Sequence, residues 1–167
     1  MPLDTLLKFL SDQIWQTASS PVKGNVPCEW QEWTIFSLGG GRNNHLYHVS
    51  KAENNFVVKF SRRDPRDRAG REYQALVLLQ ELNLMIAPQP ILLERERYTF
   101  PVVVQSWLAG EMSDSLPGDH AAWMSLLEHY AVIHSVTQAN VGTPGPLDRC
   151  LCSLLARARS YDETTRF

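Results

Sequence analysis

The sequence predicts an α+β fold: an antiparallel sheet of five strands with one long helix, followed by further helices. Three observations carry this reading. Bulky residues partly alternate in short runs separated by glycine and polar turns over 30–60. Apolar residues recur at helical intervals over 68–82 and again over 121–136. Two apolar runs flank a charged turn over 91–108, which is the pattern of a hairpin. With 44% hydrophobic and 20% charged residues in 167, the chain has enough apolar surface to bury a core.

The elements follow in order. Leu3, Leu6, Leu7, Leu10 and Ile14 share one face of a helix, and ASSPVKGNVP ends it, so 1–26 is a helix and a loop. WQEWTIFSL over 30–38 reads as one strand, three glycines follow, and 45–50 is a second strand. KAENN is a turn into a third strand, NFVVKF, which completes an antiparallel meander. After SRRDPRD, where Pro65 can open a helix, RAGREYQALVLLQEL makes about four turns. NLMIAPQP breaks that helix, and ILLERERY with TFPVVVQSWL forms the hairpin. AGEMSDSLPGD is a linker, the 121–136 helix follows, and LCSLLARARSY is a weaker helical segment.

A formal net charge of −2 and a pI near 6.2 give no basic footprint for nucleic acid. The first residues carry Asp4 and Asp12 without a basic start, unlike a signal peptide. No run reaches the roughly 18 apolar residues of a membrane span. Cys28, Cys150 and Cys152 have neither zinc-ribbon nor thioredoxin spacing and are read as reduced thiols. A soluble, cytoplasmic protein without nucleic-acid or membrane partners is the expectation.

Three features could carry chemistry. Gly39, Gly40 and Gly41 join two strands; glycine accepts positive φ, and without a Cβ its backbone N–H can approach a phosphate, although a ligand-free hairpin gives the same pattern. Alternation in the third strand puts Val57 and Lys59 on one face and Phe56, Val58 and Phe60 on the other. Lysine is seldom buried alone; Glu72 on the next helix could pair with Lys59, with Arg68 and Arg71 as rivals, or Lys59 could lie in water on an edge strand. Third, FPVVVQSWLAGE is an apolar strand whose end could offer backbone groups to a flat heterocycle, or could simply end. His45 and His48 fall on opposite strand faces, which argues against a shared metal, and no metal site is assigned. His134 reads as a structural histidine, RRDPRDR as a solvated loop, and Trp15, Trp30, Trp33, Trp107 and Trp123 as packing residues.

In their order, LGGGRNNHLYHV, FVVKF, REYQALVLL, APQPI, PVVVQSWLAGE and AVIHSV resemble the aminoglycoside phosphotransferase and choline kinase family, over roughly 30–137. The resemblance implies a protein-kinase-like fold: an ATP-binding small lobe over 27–108, a hinge over 109–118, and the first helices of an incomplete helical large lobe over 119–167. It implies an enzyme, an ATP-dependent kinase that passes the γ-phosphate to a hydroxyl of a small-molecule acceptor, with ATP and Mg²⁺ as cofactors. By position, Gly39, Gly40, Gly41, Arg42, Asn43 and Asn44 would cover the phosphates. Lys59 would bind the α- and β-phosphates, Glu72 would hold Lys59, Val57 would pack on adenine, and backbone groups around Ser106 and Leu108 would read the adenine edge. Arg42 departs from the small residue the family often has there.

The family's H-x-D-x-x-x-x-N loop does not occur. His134 is followed by Val136 and Val141 at the required offsets, His120 by Ala122, and His129 by Ala131. No catalytic residue is assigned, the Mg²⁺ ligands are expected in a large-lobe segment that follows, and this chain alone is expected to be inactive. A non-catalytic nucleotide-binding or interaction module and a plain structural domain are the alternatives. Trp123, Leu126, Leu127, Tyr130 and Ile133 on the 121–136 helix would leave an uncovered apolar surface, so self-association is expected.

Overall fold

A computed structural model describes residues 2–15, 26–39, 43–110 and 116–136. The elements are α1 (Leu3–Trp15), β1 (Cys28–Trp30), β2 (Trp33–Gly39), β3 (Asn44–Lys51), β4 (Asn54–Ser61), α2 (Arg68–Glu81), β5 (Pro90–Glu94), β6 (Val102–Ser106) and α3 (His120–Ser135). All strands join one antiparallel sheet in the order β1-β2-β3-β4-β6-β5. Met1–Val77 with Pro88–Leu108 forms one compact unit, and Leu78–Ala87 with Ala109–Phe167 forms another.

The sheet has six strands where the sequence predicts five. The difference lies in WQEWTIFSL, which is two strands: Trp30 pairs with Trp33 across a two-residue turn, and Gln31 takes φ 56°. Neither Gly nor Asn marks that reversal. A glutamine at positive φ is an uncommon choice, so the sequence carries no turn signal there. The β3–β4 turn at Ala52 and Glu53 is built the same way, with Ala52 at φ 50°, but there the flanking polar residues announce it.

α1 belongs to the first unit and covers one face of the sheet. Its stripe of Leu6, Leu7, Leu10 and Ile14 is buried in one cluster with Ile35, Tyr47, Val49, Val58, Phe60, Val102 and Val104. Each buried leucine contributes about 1.5–3 kcal/mol of transfer free energy. The start of the helix is tied down by Tyr98, whose hydroxyl donates to Asp4 Oδ1 at 3.0 Å, and by the Arg97–Asp4 ion pair. Burial, followed by the Asp4 hydrogen bond, pushes the Tyr98 hydroxyl up to about 12.

α2 begins at Arg68, the first residue of the predicted RAGREYQALVLLQEL helix, three residues after Pro65. Asp67, at φ 44°, caps it by accepting the Gly70 N–H at 3.1 Å. In the second unit Asp119 caps α3 by accepting the Ala122 N–H at 2.8 Å. No residue of α3 is buried, and Trp123, Leu127 and Tyr130 are exposed. The segment LCSLLARARSY lies outside the described residues. No helix among the described residues is long and apolar enough to cross a membrane.

Candidate functional site

Strand alternation gives the sheet a second face, turned away from α1. The register places Phe36 opposite His48, His48 opposite Val57, Val57 opposite Gln105, Leu46 opposite Lys59, and Lys59 opposite Val103. Lys59 therefore stands on an inner strand, between β3 and β6, and the edge-strand alternative does not hold.

The Lys59 ammonium donates to Glu72 Oε2 at 2.6 Å, with the two side chains 20% and 30% exposed. Neither rival takes Glu72. Arg68 pairs instead with Asp64 at 2.6 Å, and Arg71 makes no ion pair among the described residues. The 62–68 stretch is largely exposed, as a solvated loop should be, but several of its charges are paired. Arg63 donates to the Tyr98 carbonyl at 3.1 Å and pairs with Glu96, and Arg95 pairs with Asp67, which binds the start of α2 to the β5–β6 hairpin.

At the glycine loop, the β2–β3 register shifts between Ser37 and Gly39, and Gly39 has φ 82°. A Cβ there would meet nothing within 4 Å, so glycine serves the backbone conformation and not close packing. Gly40, Gly41 and Arg42 lie outside the described residues. Asn43 accepts the Arg62 N–H at 2.8 Å and Asn44 pairs with Ser61, so the far side of the loop is anchored on β4 and the residue after it.

Val57 is buried on the Lys59 face, as alternation predicts. Ser106 ends β6 and is bound twice to Gln89: its N–H donates to the Gln89 carbonyl and its Oγ accepts the Gln89 N–H, both at 2.9 Å. The Trp107 N–H donates to the Asn55 carbonyl at 3.1 Å, and the Leu108 side chain is exposed. The structure thus gathers Val57, Lys59 and Glu72 on or against one face, with Gly39, Asn43 and Asn44 at the β2–β3 end and Ser106 at the end of β6.

Sequence reasoning missed the aromatic members of this face. The His48 ring stacks on Trp107 at 4.0 Å between centroids and on Phe36 at 5.7 Å. Phe36, Ser37, Leu38 and His48 line an open cleft of about 320 Å³. The available signal was period-two alternation carried across neighbouring strands, which aligns 36, 48 and 57 once the register is known. His45 faces the other way, 6.1 Å from the Phe100 ring, and burial holds its pKa below the usual value. Among the described residues no group of three or more His, Cys, Asp or Glu could hold a metal ion.

The family model described as "Phosphotransferase enzyme family" (APH) matches residues 34–163, well over half of the chain. The chain belongs to the phosphotransferase enzyme family. No curated protein matches it. The match to the phosphotransferase family begins in β2 and runs through the glycine loop, Lys59, Glu72 and the end of β6. Membership makes this chain a transferase of the kinase-like class, and its antiparallel sheet with α2 suits the small lobe of such an enzyme.

Proposed function

We propose that this phosphotransferase draws its phosphoryl group from ATP and passes the γ-phosphate to a hydroxyl of a small-molecule acceptor. The observation that carries the reading is the Lys59–Glu72 pair on the face of the sheet turned away from α1. One ammonium N–H is engaged by Glu72, which leaves two donors, held in place, for oxygens of the α- and β-phosphates. Backbone N–H groups over 39–44, with the Arg42 side chain among them, would supply further donors. Val57 would pack on the adenine, and backbone groups around Ser106 and Leu108 would meet its edge. In the reaction the acceptor oxygen bonds to the γ-phosphorus, the bond to the β,γ-bridging oxygen breaks, ADP leaves with that electron pair, and the acceptor loses its proton.

Mg²⁺ is expected to arrive with the nucleotide. The described residues offer no cluster of acids suited to it. A cytoplasmic location fits a protein that uses ATP, and the −2 formal charge favours a small acceptor over nucleic acid.

Calorimetric titration of the chain with Mg-ATP tests the reading. Wild type is expected to bind, and Lys59→Ala to bind at least about tenfold more weakly, since a hydrogen bond to a charged group is worth about 1.5–3 kcal/mol. A wild-type chain that binds no Mg-ATP would contradict it.

A further inference from the structure

Trp107 stands between Ser106 and Leu108, the two residues whose backbone groups would meet the base, and the inference here rests on that ATP reading. Two contacts fix Trp107. Its N–H donates to the Asn55 carbonyl at 3.1 Å, and its indole lies on the His48 imidazole at 4.0 Å with 24° between the planes. His48 is itself backed by Phe36, at 5.7 Å and 18°, and its Nε2 lies 3.2 Å from Asn55 Oδ1. The Asn55 amide is oriented by its other end, where Nδ2 donates to the Glu53 carbonyl at 3.4 Å. Oδ1 is then the acceptor that faces His48, and His48 Nε2 carries the donated proton. Asn55 therefore holds both members of the stack, Trp107 through its main-chain oxygen and His48 through its side chain.

The other side of the segment is equally constrained, because Ser106 is bound to Gln89 through both its N–H and its hydroxyl. We propose that His48 and Asn55 are positioning residues which clamp Trp107 and so preorganise the 106–108 segment for a purine nucleotide. A segment already held in one conformation loses little freedom when the ligand binds, and that saving appears as affinity. The clamp acts at the base end of the site and leaves the contacts of Lys59 with phosphate untouched.

The test compares Mg-ATP with Mg-tripolyphosphate, which has phosphates and no base, by calorimetry on wild type, His48→Ala and His48→Phe. His48→Ala is expected to weaken Mg-ATP by about two- to tenfold, the range that an aromatic pair is worth, and to leave tripolyphosphate unchanged. His48→Phe keeps a ring against Trp107 and is expected to recover most of the ATP affinity. Near-ultraviolet circular dichroism of the indoles should change in His48→Ala and less in His48→Phe. Wild-type binding of Mg-ATP that His48→Ala leaves intact, or a loss that the two ligands share equally, would overturn the clamp alone. A wild-type chain that binds neither ligand would overturn the ATP reading and the clamp with it.

Discussion

At the scale of the residue, the Lys59–Glu72 pair should serve function more than stability. A partly buried ion pair gives back in desolvation much of what it gains in attraction, but removing one partner strands the other charge. Glu72→Leu is therefore expected to lower stability by about 1–2 kcal/mol, less than for a fully buried pair because both side chains keep some solvent contact. Lys59→Met combined with Glu72→Leu should regain most of that loss while Mg-ATP binding stays weak; urea unfolding and calorimetry on the same samples separate the two effects. A double variant no more stable than Glu72→Leu would show that the pair itself holds the fold. Lys59 was legible because FVVKF sets one charge among apolar residues on a strand, and Glu72 because it follows on the next helix. His48 was not legible. What it does depends on Trp107, far along the chain, and a sequence shows alternation within a strand but not which strands lie side by side.

At the scale of the element, α2 depends on how its first turn is made. A Cβ on Gly70 would run into the Asp67 carboxylate and the Arg95 guanidinium. The same carboxylate caps the helix and pairs with Arg95 at 3.0 Å, so it cannot move without loss. Gly70→Ala is expected to destabilise by about 1–3 kcal/mol despite alanine's better helix propensity, as a lost cap and overpacking each cost about 1 kcal/mol or more. Thermal unfolding of Gly70→Ala and Asp67→Ala would check this; an unchanged or raised midpoint in Gly70→Ala would contradict the account. The sequence placed α2 over 68–82 through its apolar repeat and offered Pro65 as a residue that can open a helix, whereas the side chain that caps it is Asp67. The division of 30–38 into β1 and β2 escaped for a related reason, since a reversal at Gln31 uses a residue that seldom signals a turn.

At the scale of the molecule, the two faces of the sheet divide the work of the first unit: α1 seals one, and the other carries Lys59, Val57 and the aromatic stack. The sealing of α1 was visible in its leucine stripe, but its destination was not, because an amphipathic helix does not name the surface it covers. Burial of Tyr98, followed by its bond to Asp4, makes that seal dependent on pH. The Tyr98 hydroxyl is raised from about 10 in the unfolded chain to about 12 in the folded one, so its contribution is fully present below about pH 10 and is lost as pH rises toward 12. The stability difference between wild type and Tyr98→Phe should shrink over that window in unfolding measured from pH 9 upward, and a constant difference would contradict the link. If nucleotide phosphates lie against Lys59, an acyl-phosphate derivative of ATP will mark it, since such a reagent acylates the amine nearest the bound phosphates. Peptide mapping should find the label on Lys59 and find it suppressed by excess ATP. Label spread over Lys8, Lys23 and Lys51, or label that ATP does not displace, would contradict the account.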